Sequence, residues 1–175
     1  GLQDPRPELT MDPKLIKAIE AAGAVALDHP KAQYLQFALK RTPAQLKAMN
    51  ALFVKHPELS LRTYGYGDLF DVDFLEHLPA VTRASLEHGP IKDFGGLAHL
   101  PAGLTELELS SYVGRVPLGE IAQRIKLERL HLGVPSPAKD YGLLSKLVNL
   151  KVLHIHKGNL AGQAEALTAG LGKLV

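Results

Sequence analysis

The chain has 175 residues, 46% hydrophobic and 22% charged, and its 20 basic and 18 acidic side chains leave a formal net charge of +2. That is the composition of one globular domain and excludes a disordered chain, and the near balance of charge gives no footprint for nucleic acid or an anionic membrane surface. Cysteine is absent, which removes a disulfide framework, thiolate zinc ligation and a cysteine nucleophile, and no apolar run reaches the roughly 18 residues of a membrane span.

Residues 1 to 10, with Pro5 and Pro7, read as a lead-in. Asp12 before Pro13 is an N-cap and first-turn pair. The spacing of Leu15, Ile16, Ile19, Ala22 and Ala26 predicts an amphipathic helix over 12–27. Tyr34, Phe37 and Leu39 then give a short strand, and Leu46, Met49, Leu52 and Phe53 line one side of a helix from Pro43 to Lys55. A second strand follows at His56, Leu59 and Leu61, and after it comes Tyr64-Gly-Tyr66-Gly. Tyr64 is expected to be buried in the turn and Tyr66 to stand exposed. The acidic loop Asp68, Asp71, Asp73 lacks the glycine and the closing Glu of a calcium loop. Asp71 or Asp73 is instead expected to cap the helical segment that carries Phe74, Leu75 and Leu78.

From here one pattern recurs, apolar-x-x-apolar-x-apolar: Val81, Ala84, Leu86; Leu104, Leu107, Leu109; Leu127, Leu130, Leu132; Leu150, Leu153, Ile155. Counted from Leu39 on the last apolar residue of each copy, the steps are 22, 25, 23, 23 and 23. Between copies the apolar interval becomes three, as in Phe94, Leu97, Leu100 and in Leu144, Leu147, Leu150, which is the stripe of a helical or 3₁₀ turn. At the end Leu160, Leu167, Leu171 and Leu174 continue the helical spacing, and this last helix is read as a cap, or the chain as a fragment or as pairing with another copy. The chain thus divides into a lead-in and capping helix, 1–33, and a solenoid of six units, 34–175.

A strand, turn and helical segment with one apolar edge cannot bury that edge alone, so the units must stack. The run Leu100-Pro-Ala-Gly-Leu104-Thr-Glu-Leu107-Glu-Leu109-Ser resembles the bacterial form of the leucine-rich repeat, and the resemblance covers 34 to about 160. It implies an α/β architecture, a right-handed solenoid with a parallel β-sheet on the concave face and helical or 3₁₀ segments on the convex side. The chain departs from the family where an asparagine ladder is usual, with Thr42, Tyr64, Gly89, Tyr112, Pro135 and Gly158 at those places. The turn amides must therefore find other partners.

Side chains between the inward positions point outward and stack roughly 4.8 Å apart on neighbouring strands. The expected rows are Gln36, Glu58, Arg83, Glu106, Arg129, Val152; then Ala38, Ser60, Ser85, Glu108, His131, His154; then Lys40, Arg62, Glu87, Ser110, Gly133, His156. The first alternates in sign at its centre, the N-terminal end is basic at Lys40, Arg41 and Arg62, and the C-terminal end gathers Glu108, His131, His154 and His156. Motifs of nucleotide binding, serine hydrolysis and zinc peptidases are missing, and an open curved sheet lacks a water-excluding cleft. The chain is accordingly read as a non-enzyme without cofactor that binds another protein through Arg83, Glu106, Glu108, Arg129, His131, His154 and His156, with Tyr66 on the rim. Two alternatives remain: a recognition or scaffold part of a longer protein whose catalytic domain lies elsewhere, and a histidine-dependent metal or pH sensor. Lack of cysteine fits a reducing cytoplasm.

Overall fold

Asp12 accepts the Lys14 N–H at 2.9 Å and Pro13 fills the first turn of helix α1, Pro13–Ala21, whose Leu15 and Ile19 are buried. The computed structural model describes residues 10–110 and 115–155. The expected helix runs on to residue 27, but α1 stops six residues earlier because Gly23 takes a left-handed φ of 87°, where a side chain is disfavoured. Val25–His29 is instead a strand, β1, paired antiparallel with β2, Ala32–Phe37. Ala26, expected on the helix, lies in β1 opposite Leu35. Asp28 in this edge strand accepts the backbone amides of Thr10 and Met11, tying the lead-in to the hairpin.

Helix α2, Pro43–Lys55, forms as the spacing predicts. Thr42 and Gln45 make a reciprocal capping box, with bonds of 2.9 and 3.1 Å, which satisfies two amides of the first turn. Strands β3 (Ser60–Thr63), β4 (Arg83–Leu86), β5 (Glu106–Leu109), β6 (Arg129–Leu132) and β7 (Val152–Ile155) follow. Among the described residues seven strands lie in one sheet in chain order, with every pair from β2 to β7 parallel. The returns are 3₁₀ helices: η1 (Asp73–His77), η2 (Gly95–His99), η3 (Ile121–Gln123) and η4 (Ala138–Lys146). This is the α/β solenoid read from the repeat. The expected C-terminal cap falls outside the described residues.

The register corrects the first two units. Leu61 pairs with Ala84, and Phe37 with Thr63, so the inward row is Phe37, Thr63, Leu86, Leu109, Leu132, Ile155. From Thr63 onward every step is 23 residues. Leu39, taken as the inward end of the first strand, lies past it and is 49% exposed. Thr63 hides the pattern because it is polar in an apolar row, yet it is fully buried. His88 makes this possible. Its ring lies against Phe74; Nε2–H donates to the Asp71 carbonyl at 2.8 Å, which leaves Nδ1 to accept the Thr63 hydroxyl at 2.7 Å. Burial lowers the His88 pKa from the ordinary imidazole value, against the opposing pull of Asp71.

The missing asparagine ladder is replaced by varied donors and acceptors, as a buried backbone requires. Asp68 accepts the Lys40 amide at 2.8 Å, Asp140 accepts that of Leu118 at 3.1 Å, and the buried Tyr141 hydroxyl accepts that of Ser136 at 3.0 Å. Asp71 and Asp93 each accept the amide two residues on, at 3.0 and 2.7 Å, at the entrances to η1 and η2. The expected Asp71 cap is thus an Asx turn. On the convex side Arg124 donates to the carbonyls of Leu100, Ala98 and Glu120 at 2.8, 2.9 and 3.1 Å, stitching one unit to the next.

Two predictions follow from this packing. A Cβ on Gly96 would meet the Val72 carbonyl carbon at 2.6 Å and the Asp73 nitrogen at 2.7 Å, whereas one on Gly103 meets nothing within 4 Å. Urea denaturation should show Gly96→Ala losing about 1–3 kcal/mol and Gly103→Ala staying within about 0.5 kcal/mol of the parent. His88 stays neutral in the fold while its unfolded counterpart takes up a proton below about pH 6.5. The unfolded state then binds more protons, so stability is full above that pH and declines as the pH falls towards the lowered folded value. The decline between about pH 7.5 and 5.5 should be shallower in His88→Gln, whose amide keeps one donor and one acceptor.

Candidate functional site

Outward positions of the parallel strands form two rows. The first is Tyr34, Ser60, Arg83, Glu106, Arg129, Val152, and the second is Gln36, Arg62, Ser85, Glu108, His131, His154. The side period of a strand is two, so the even errors in the first units leave Gln36, Ser60 and Arg62 on the outward face but give them other neighbours. Glu58 leaves the first row and lies by His56 instead, at 3.7 Å. Arg62 moves from the third row to the second. Tyr34, read as an inward apolar residue, faces outward.

These rows line a groove of about 460 Å³ on the concave side. Arg83, Glu106, Glu108, Arg129, His131 and His154 all lie in it. Lys31, Tyr34, Ser60, Ser85 and Val152 join them. Tyr66 does not line this groove; it is 72% exposed, as expected. Tyr64 is only half-buried, with the Arg62 guanidinium over its ring at 5.0 Å. His156 and Tyr112 lie outside the described residues.

The N-terminal part of the chain, outside the groove lining, and the groove centre differ in how their charges are used. At the N-terminal end Arg62 donates to Glu87 and to Gln36, both at 2.8 Å. Arg41 is likewise spent on the carbonyls of Leu39, Lys40 and Gly23, at 3.1 Å each. The expected basic end is therefore largely bound into the fold. In the centre Ser85 donates to Glu108 at 3.4 Å. Arg83, Glu106 and Arg129 alternate in register, but among the described residues none of them makes an ion pair. Tyr34 senses these acids. Burial raises its pKa above the ordinary phenol value, and the carboxylates of Glu108, Glu87 and Glu106 add to that against Arg62.

His131 and His154 stack with ring centroids 4.3 Å apart and planes tilted by 30°. Among the described residues no group of three His, Asp or Glu side chains could hold a metal, and no helix is long and apolar enough to cross a membrane.

No protein-family model matches the chain, and no curated protein matches it. Among solved structures it is similar to an internalin (InlF) from Listeria monocytogenes, a leucine-rich-repeat protein, with 17% identity and a TM-score of 0.57 over 79% of this chain. The match takes in 37% of that structure's chain. It shows a leucine-rich-repeat fold.

The electrostatics of the groove are measurable through Tyr34. In a spectrophotometric titration, the phenol missing from Tyr34→Phe should be one that ionises above the ordinary value of about 10. Glu108→Gln should bring that ionisation down part of the way, because burial persists when the charge is removed.

Proposed function

We propose that this chain is a non-catalytic protein-binding module whose partner lies in the concave groove. The observation that supports this most is the set of charged side chains at the centre of the sheet, Arg83, Glu106 and Arg129, in register and without ion pairs among the described residues. Two ion pairs elsewhere in the fold, Arg62–Glu87 and Lys151–Glu128, close at 2.8 Å. At the groove centre Arg83 and Arg129 are instead exposed and Glu106 is half-buried, and Arg83 acts on the Glu128 carboxylate without closing an ion pair. Arginine in such a place offers a planar fork matched to carboxylates, and the stacked His131 and His154 add a flat aromatic surface beside it. A solenoid brings this surface to a partner without needing the enclosed cleft that catalysis uses.

The test is capture from the native lysate on the immobilised chain. Arg129→Glu and His131→Glu should each abolish capture of the same protein while the melting temperature is preserved. Lys47→Glu, on the exposed side of α2, should capture it normally. Capture that survives both groove reversals, or that is lost equally in Lys47→Glu, would overturn the assignment.

A further inference from the structure

Resting on that reading, we infer the chemistry of the partner: an α-helix lying along the solenoid axis, across the strands, that presents an acid, a base and an acid on one stripe to Arg83, Glu106 and Arg129. Charge complementarity carries the order of signs. A run of acids would meet Glu106 between the two arginines and Glu108 beside them, and a run of bases would meet the arginines. Only an alternating stripe leaves every contact opposite in sign.

Spacing carries the choice of helix. Adjacent strands are about 4.8 Å apart, so Arg83 and Arg129, two strands apart, stand about 10 Å from each other. Helical residues at i and i+4 are about 5–6 Å apart, and i to i+7 spans about 10.5 Å at 1.5 Å per residue. Three charges at i, i+4 and i+7 therefore keep step with three strands. An extended segment laid the same way repeats each face at about 6.8 Å and is out of step by its third contact. The row is also in mid-sheet, between β3 and β7, where no free strand edge exists for an added strand to pair with. The second row, with Glu108, His131 and His154, lies about 7 Å along the strands. That is within the width of one helix, about 10–12 Å, so its flank reaches the stacked imidazoles.

The probes are two lactam-bridged helical peptides of about 18 residues, five turns, identical in composition. One carries Glu, Lys, Glu at i, i+4, i+7, and the other Glu, Glu, Lys at the same places. Binding to the full chain is followed by fluorescence polarisation. The alternating peptide should bind about tenfold more tightly than the permuted one, and Arg129→Gln should erase most of that difference. The triple reversal Arg83→Glu, Glu106→Lys, Arg129→Glu should transfer the preference to a Lys, Glu, Lys peptide. If that variant fails to fold, Arg129→Gln alone decides. Equal affinity for both orders, a difference unchanged in Arg129→Gln, or no binding of either peptide up to about 1 mM overturns the helix. Lysate capture that still depends on Arg129 would then leave the groove standing as a binding surface with a differently shaped partner, whereas failure of both experiments removes the groove reading itself.

Discussion

Register between successive strands is the constraint on which the rest of this molecule depends. A unit of 23 residues has a sheet on one side and a 3₁₀ return on the other, and its inward side chains are buried only if the next unit repeats in step. The row Leu86, Leu109, Leu132 satisfies this with fully buried leucines, each contributing about 1.5–3 kcal/mol through burial. A slip by one residue would turn every side chain to the wrong face at once. The fixed period therefore secures both the core and the in-register rows that face the groove, since each outward residue inherits its neighbours from the inward pairing.

Regular leucine packing leaves a second demand unmet, because the turns between strands and returns carry amides and carbonyls that stacking alone does not pair. The chain answers it differently at almost every unit. Asp68, Asp140 and Tyr141 accept turn amides, His88 bridges a threonine and a carbonyl, and Arg124 gathers three carbonyls across two units. On both flanks of the strands the backbone continues the ladder itself, as in Thr105 to Thr82 and Gly133 to Leu109, both at 2.8 Å. Removing any one of these side chains should act locally, because a solenoid unit contacts only its neighbours.

The same irregularity decides what could be read from the sequence. Units with leucine or isoleucine at each inward place, those around Leu107, Leu130 and Leu153, were legible in fold, register and facing. The N-terminal units were not. Thr63 occupies an apolar place because a histidine 25 residues later satisfies its hydroxyl, and no local pattern announces such a pairing. Leu39 and Tyr34 then supplied false apolar marks, which displaced the first rows by an even number of residues. Gln36, Ser60 and Arg62 kept their outward face through that error and only changed neighbours, whereas Tyr34, marked as inward, faces the groove beside Arg83, Glu106, Arg129, His131 and His154. A sequence signal for Tyr34 did exist. In Ala32-Gln-Tyr-Leu35-Gln-Phe37 the alternation of Leu35 and Phe37 puts Tyr34 on the other side. Gly23 was likewise the available stop signal for α1.

The charges at the groove centre contrast with those of the N-terminal units outside its lining. Arg62 is held between Gln36 and Glu87 and covers Tyr64, so it fixes the hairpin unit to its neighbours and has little left to offer a partner. Arg83 and Arg129 have the same guanidinium and comparable carboxylates one strand away, yet they do not close on them. An exposed pair is worth only about 0–1 kcal/mol, so leaving these apart costs the fold little. The same fork closing on a carboxylate in a dry interface contributes far more. The fold can therefore keep unmatched charge at the centre of its sheet with almost no loss of stability, provided that its own architecture rests on the leucine rows beneath. What holds the solenoid together is thus separate from what faces the groove.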